Sequence, residues 1–266
     1  ALESSVPGNR KESVLSMPVD MQSDRLGRLP PYLFVEIDRL KKEYIESGRE
    51  VFDLGIGDPD RGAPPALVKA LKSALDDPEN HRYPPDTGMP RLKEAVRGLA
   101  SRYQGVDLSH DEILITIGSK EAIGHLCLAV ANPGDLVLVP DPGYPVYNSS
   151  AVFAGARVNY MPLKESNDYW PEFEAVGKEE ALKARLLYLN YPNTPTAATA
   201  EREEFLDAVR FCGSNTILPV NDAAYCDIFY ERRPELLFPR AKEAGIPYLE
   251  LFSFSKTLSI TGWRIG

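Results

Sequence analysis

Lys256 stands just past the run YLELFSF (248–254), among hydroxyl residues, with Arg264 eight positions on. A lysine at the end of a strand can simply be solvated. In a partly desolvated pocket beside another cation its pKa falls, and its amine becomes a nucleophile that forms Schiff bases with aldehydes, pyridoxal phosphate (PLP) among them. The spacing alone fits both readings. Ser253, Ser255 and Arg264 suggest a phosphate cup, since a guanidinium fork and serine hydroxyls are phosphate donors. Gly118-Ser119-Lys120 would add the free amides and positive dipole end of a helix start, although Ser119 also reads as an ordinary cap. Asp222 follows TILPVN (216–221), where a carboxylate could pair with the pyridine nitrogen of PLP and keep it protonated. Tyr225 could then hydrogen-bond the ring's phenolic oxygen, and Tyr144 could stack on its face. Either tyrosine alone would equally suit core packing.

Elements that could bring these residues together are legible along the chain. Helical spacing marks residues 34–47, 64–75, 90–103, 119–131, 145–154 and 201–211. Short apolar runs mark strands at 112–117, 136–140, 157–161, 186–190, 216–221 and 248–254, with 51–56 a short strand or extended segment. Strands without polar alternation, separated by helices, predict an α/β fold with a mostly parallel sheet and helices on both faces. Ligands bind such sheets beyond the carboxyl ends of the strands. The segments at those ends are 118–120, 141–144, 193–196, 222–225 and 253–256.

Composition narrows the function classes. The 266 residues are 43% hydrophobic and 26% charged, with 30 basic and 39 acidic side chains and a formal charge of −9. This acidic balance argues against nucleic acid and against anionic membranes as partners. No apolar run approaches the ~20 residues of a spanning helix. Cys127, Cys212 and Cys226 form no CxxC pair and read as buried free thiols, which suits a reducing, cytoplasmic setting. His81, His110 and His125 lack metal-ligand spacing, so no metal is expected, and His125 reads as a core or near-core residue. The first 20 residues lack the apolar stretch of an export signal.

Residues 253–266, SFSKTLSITGWRIG, resemble the PLP-lysine signature of class I/II aminotransferases, which have the type I PLP fold. Further likenesses precede it in order: LGIGDPD (54–60), Tyr83 with Gly88 and Arg91-Leu92, GSKEA (118–122), NPGD (132–135), DPGYPVY (141–147), PNTPT (192–196), and Asp222 with Tyr225. The match runs from about Leu26 to Gly266. LPPYLF (29–34), LGIGDPD, IGSKE (117–121) and DPGYPVY look like the LL-diaminopimelate branch.

That resemblance implies amino transfer between LL-diaminopimelate and tetrahydrodipicolinate in lysine synthesis, with 2-oxoglutarate and glutamate as the other pair. It implies that Lys256 holds PLP and shuttles the substrate proton, Asp222 pairs with the pyridinium, Tyr225 contacts the ring oxygen, and Tyr144 stacks. Ser119, Lys120, Ser253, Ser255 and Arg264 would hold the phosphate. Tyr83 would reach the phosphate of a neighbouring subunit, so a homodimer is the expected active unit. Tyr32, Gly57 and Lys120 match substrate-contacting positions. The implied domain plan is a flexible tail at 1–24, an arm and small-domain segment at 25–58, and a large PLP-binding domain at 59–266.

Two departures stand out. Thr194 replaces the family asparagine that donates to the ring oxygen, so PLP binding is expected to survive with lower activity. Asn193 is adjacent, one step too early in register. The family pattern also continues well past Gly266, with the remainder of the large domain and the arginine that grips the substrate α-carboxylate, so the C-terminal part is expected to be absent here. Alternatives are an aspartate, alanine or aromatic aminotransferase, a PLP lyase on the same fold, an inactive fragment, or a sensor domain of a transcription regulator. Residues 1–25 are too short and too weakly basic for the DNA-binding domain such a regulator carries.

Overall fold

The computed structural model describes residues 21–266 apart from Tyr32 and Ile56. The expected tail and the Tyr32 assignment therefore lie largely outside the described residues. The helices are α1 (Asp24–Gly27), α2 (Leu33–Glu46), α3 (Pro65–Leu75), α4 (Pro90–Gln104), α5 (Ser119–Val130), α6 (Pro145–Ala154), α7 (Lys178–Ala181), α8 (Arg202–Asn215), α9 (Leu237–Ala244) and α10 (Phe254–Thr257). The strands are β1 (Leu136–Asp141), β2 (Arg157–Pro162), β3 (Ala184–Leu189), β4 (Leu218–Asp222) and β5 (Leu249–Leu251).

All neighbouring strands pair in parallel, in the order β2-β1-β3-β4-β5. Strand alternation sends successive side chains to opposite faces, and both faces are covered. Leu136, Leu138, Leu187 and Leu189 pack with Phe205, Val209 and Cys212 of α8 and with Leu237 and Ala241 of α9. Val137, Val139, Leu186 and Tyr188 pack with Ile123 and Cys127 of α5 and with Tyr147 and Ala151 of α6. This is the doubly covered parallel sheet expected from the unalternating apolar runs.

Four local readings are corrected. Residues 112–117 form no strand. A short 3-10 turn covers His110–Glu112. Beyond it Thr116 exchanges both backbone hydrogen bonds with Gly266, at 2.9 and 3.1 Å, and the Ile115 amide donates to the Thr87 carbonyl at 3.2 Å. These are isolated links to two different segments. A β-branched run becomes a strand only where one neighbour offers a continuous ladder. The run 248–254 is a strand only over Leu249–Leu251, because the Ser253 side chain accepts from the Ser255 amide and starts α10. The fourth strand begins at Leu218 rather than Thr216, since Thr216 ends α8 in the left-handed conformation. His125 is not in the core. Its side chain is 73% exposed, 4.0 Å from Glu121. Ile123 and Cys127 are the buried positions of α5, and a residue two steps from Ile123 faces away from them. The three cysteines are free and buried, as expected.

Among the described residues no helix is long and apolar enough to cross a membrane, and no cluster suits a metal ion.

Candidate active site at the carboxyl edge of the sheet

Strand order reverses direction between β1 and β3, because β2 lies on one side of β1 and β3 on the other. The crevice at such a switch point is where open α/β sheets take ligands. The segments after β1, β3, β4 and β5 carry Tyr144, Thr194, Tyr225 and Lys256.

Beyond β1 the chain turns sharply. A Cβ on Gly143 would sit 2.3 Å from the Pro140 carbonyl oxygen, so only glycine fits. The turn delivers Tyr144 to the start of α6, where Pro145 occupies the first helical position. The Lys120 ammonium lies 5.9 Å from the Tyr144 ring centre, and the Tyr147 ring meets Tyr144 edge-on at 5.8 Å.

Asp222, the last residue of β4, is only 5% exposed. Its Oδ2 accepts a 2.9 Å hydrogen bond from the Tyr147 hydroxyl, while its Oδ1 is buried with no partner. Burial pushes the carboxyl up to about 6, against the lowering influence of the Tyr147 hydroxyl and the nearby Ala224 amide. A buried acceptor without a donor is costly unless a ligand supplies one. A protonated pyridine nitrogen is such a donor. Asn190 holds the main chain here, donating from Nδ2 to the Asp222 carbonyl at 2.6 Å, while its Oδ1 accepts the Thr194 amide at 2.9 Å. Thr194 itself is half-buried.

The anion-binding features gather at the start of α5. Gly118 has φ +77°, and a Cβ there would lie 2.4 Å from the Arg264 guanidinium. That close approach places Arg264 against the helix N-terminus, whose free amides favour an anion. Arg264 Nη1 also donates to the Thr261 carbonyl at 2.7 Å and lies 3.5 Å from Ser255 Oγ. Ser255 is buried and Ser253 caps α10. Ser119, Ser255 and Arg264 are therefore brought to one corner. Gly118→Ala is expected to displace the guanidinium and strain the backbone, raising the PLP dissociation constant about tenfold and costing about 1–2 kcal/mol of stability. A cofactor titration and a thermal melt check both effects.

Lys256 lies in α10, half-buried, and donates from Nζ to the Gly57 carbonyl at 2.9 Å. Two residues singled out in the sequence, 199 positions apart, thus meet directly. Next to it, Thr257 donates its hydroxyl to Asp227 Oδ2 at 3.2 Å, and Asp227 is ion-paired with Arg233. This ties the lysine's helix to the loop after β4. Tyr225 sits half-buried in the turn of that loop. Tyr83 stands fully exposed before α4, so the fold of one chain does not gather it with the others.

Tyr147, Asn190 and Asp227 were not assigned roles by the sequence reading. Tyr147 offered a signal: it lies three residues after Tyr144, one helical turn on, within the DPGYPVY motif. Asn190 and Asp227 offered none beyond polarity after a strand.

The residues fit the proposed cofactor chemically. A buried acceptor suits a cationic ring nitrogen, a guanidinium beside a helix N-terminus suits a phosphate, and Lys256 of α10 offers an amine. The chain belongs to the aminotransferase class I and II family, which residues 49–266 match. It is 45% identical over 248 residues to the LL-diaminopimelate aminotransferase of Aquifex aeolicus, covering 92% of this chain and 63% of that protein. It is 43% identical over 247 residues to the corresponding enzyme of Syntrophobacter fumaroxidans, covering 92% and 64%. Among solved structures, substrate-bound BacF from Bacillus subtilis superimposes with a TM-score of 0.85 at 35% identity, over 92% of this chain and 62% of that one. The chain thus spans just under two thirds of the length of these relatives.

Proposed function

We propose that the protein transfers an amino group between an amino acid and a 2-oxo acid using PLP, with LL-diaminopimelate and 2-oxoglutarate as the amino donor and acceptor. The observation that carries the reading is the buried, unpartnered Oδ1 of Asp222 at the end of β4. The names of the relatives supply LL-diaminopimelate as the donor, and 2-oxoglutarate as the acceptor is what the motif resemblance implies. When bound, PLP supplies an electron sink for the pair left behind as the substrate α-proton departs.

The chain's own residues do the rest. Asp222 would hold the ring-nitrogen proton, and Tyr144 would cover the ring face. Tyr225 and Thr194 would donate to the ring oxygen. Ser119, the Lys120 backbone, Ser253, Ser255 and Arg264 bind the phosphate, joined by Tyr83 of a second copy in a homodimer. Lys256 would supply the amine that holds the cofactor and would carry the proton at the substrate α-carbon. The Gly57 carbonyl holds the lysine in place, and Gly57, Tyr32 and Lys120 contact substrate.

Borohydride reduction with PLP, followed by peptide mapping, is expected to label Lys256; label scattered over surface lysines would overturn the reading. Amino transfer from LL-diaminopimelate to 2-oxoglutarate is expected to exceed transfer from aspartate, alanine or aromatic amino acids, and the reverse order would overturn the substrate assignment. Thr194→Asn should raise turnover severalfold by restoring a longer donor to the ring oxygen, and unchanged turnover would remove that explanation.

A further inference from the structure

Among the described residues the Asp222 carboxylate receives one side-chain hydrogen bond, from Tyr147. The tyrosine is fully buried and its ring is wedged in place. It stacks on Tyr188 at 4.7 Å with 20° between planes, and meets Tyr144 edge-on. Its hydroxyl therefore has a fixed direction, and that direction is Oδ2. With Oδ2 engaged and the main chain held by Asn190, Oδ1 is left as the unpartnered acceptor.

We propose that Tyr147 is a positioning residue for the cofactor: its hydroxyl orients the Asp222 carboxylate, leaves Oδ1 for the ring nitrogen and favours the ionised form that the ring nitrogen needs. The inference rests on the PLP reading above and deepens it.

The surroundings support this assignment. Burial and the neighbouring Asp222 charge push the Tyr147 hydroxyl far above its ordinary range, so it stays protonated and can only donate to the carboxylate. Tyr188 of β3 directs its hydroxyl to the Ile123 carbonyl at 3.3 Å, beside Cys127 of α5 at 3.6 Å. Glu250 of β5 brings a second, half-buried carboxyl towards Asp222, but its oxygens accept from Asn221 Nδ2 at 2.6 Å and the Phe238 amide at 2.8 Å. Of these titratable neighbours, Tyr147 is the one that donates to Asp222.

The test is the apparent PLP dissociation constant of the purified protein between pH 5 and 8.5, for wild type, Tyr147→Phe and Tyr188→Phe. Tyr147→Phe keeps the stacked ring and removes one donor. It is expected to weaken binding about tenfold near pH 7, and to move the pH below which binding weakens up by about one unit. Tyr188→Phe, which removes a hydroxyl from the same stack without touching Asp222, should follow wild type in both respects. In an Asp222→Asn background, adding Tyr147→Phe should change the constant less than twofold. Equal pH profiles for wild type and Tyr147→Phe, an identical shift in Tyr188→Phe, or an undiminished penalty in the Asp222→Asn background would each overturn the proposal. Wild type that labels at Lys256 while Tyr147→Phe binds normally sinks this inference alone; wild type that does not label sinks the function itself.

Discussion

Asp222→Ala is expected to weaken PLP binding by about a hundredfold or more and to lower turnover by at least about a thousandfold. Removing one partner of a buried charged pair typically costs about 3–5 kcal/mol, which corresponds to that range. The loss has a second component, because an unprotonated ring withdraws electrons poorly.

The sign of the pH effect follows from the raised carboxyl. With the group near 6 in the fold and close to 4 in the unfolded chain, Asp222 favours the cofactor-free fold fully below pH 4. This contribution is lost as pH rises through 6, since the fold then buries an unpaired charge. A rise of about two units amounts to roughly 3 kcal/mol. Bound PLP reverses the balance by supplying the cationic partner. The thermal stabilisation given by PLP should therefore grow as pH rises from 5 to 7, and the growth should vanish in Asp222→Asn. Melting curves with and without PLP at four pH values decide this. A PLP-induced shift that is flat with pH in wild type would mean that Asp222 does not face the ring nitrogen.

Lys256→Ala should leave the fold intact and abolish turnover. The side chain is half-buried and its one contact of note is the Gly57 carbonyl, which solvent can satisfy in its absence. A melting temperature within a few degrees of wild type is expected. Turnover should drop by about four orders of magnitude or more, because the proposed nucleophile and proton carrier are lost together. Lys256→Arg is the informative companion. It keeps the positive charge but no nucleophilic amine, so it should be as inactive as the alanine variant. Partial recovery of the alanine variant by an added small primary amine, with none for arginine, would identify proton transfer as the missing step. Turnover within tenfold of wild type in either variant would exclude Lys256 from the chemistry.

Legibility in the sequence differs from element to element. α6 matches its expected limits, and β1 and β2 match within a residue at the ends. Their apolar runs and flanking Pro and Gly signals are local and unambiguous. α9 was missed, since LFPRAKEA offers a proline in its first turn and only a short apolar face. Residues 112–117 have strand composition without a ladder, and composition carries no information about neighbours. The candidate residues stand out in the sequence by type and, for Asp222 and Lys256, by position at or after strand ends. Asp222, Lys256, Gly57, Ser255 and Arg264 all prove to lie in close, directed contacts.

The sequence by itself determined the alternation of strands and helices, the apolar character of every central strand, and the placing of candidate residues just past strand ends. These are properties of short windows, set by backbone propensity and side-chain spacing. Only the tertiary structure decided that Tyr147 donates to a carboxylate 75 positions away, that Lys256 rests on Gly57, that Arg264 lies against Gly118, and that His125 faces solvent. Those contacts depend on strand order and on which face of each helix meets the sheet. Both are fixed by packing many distant apolar groups at once, so no local window of the chain contains them.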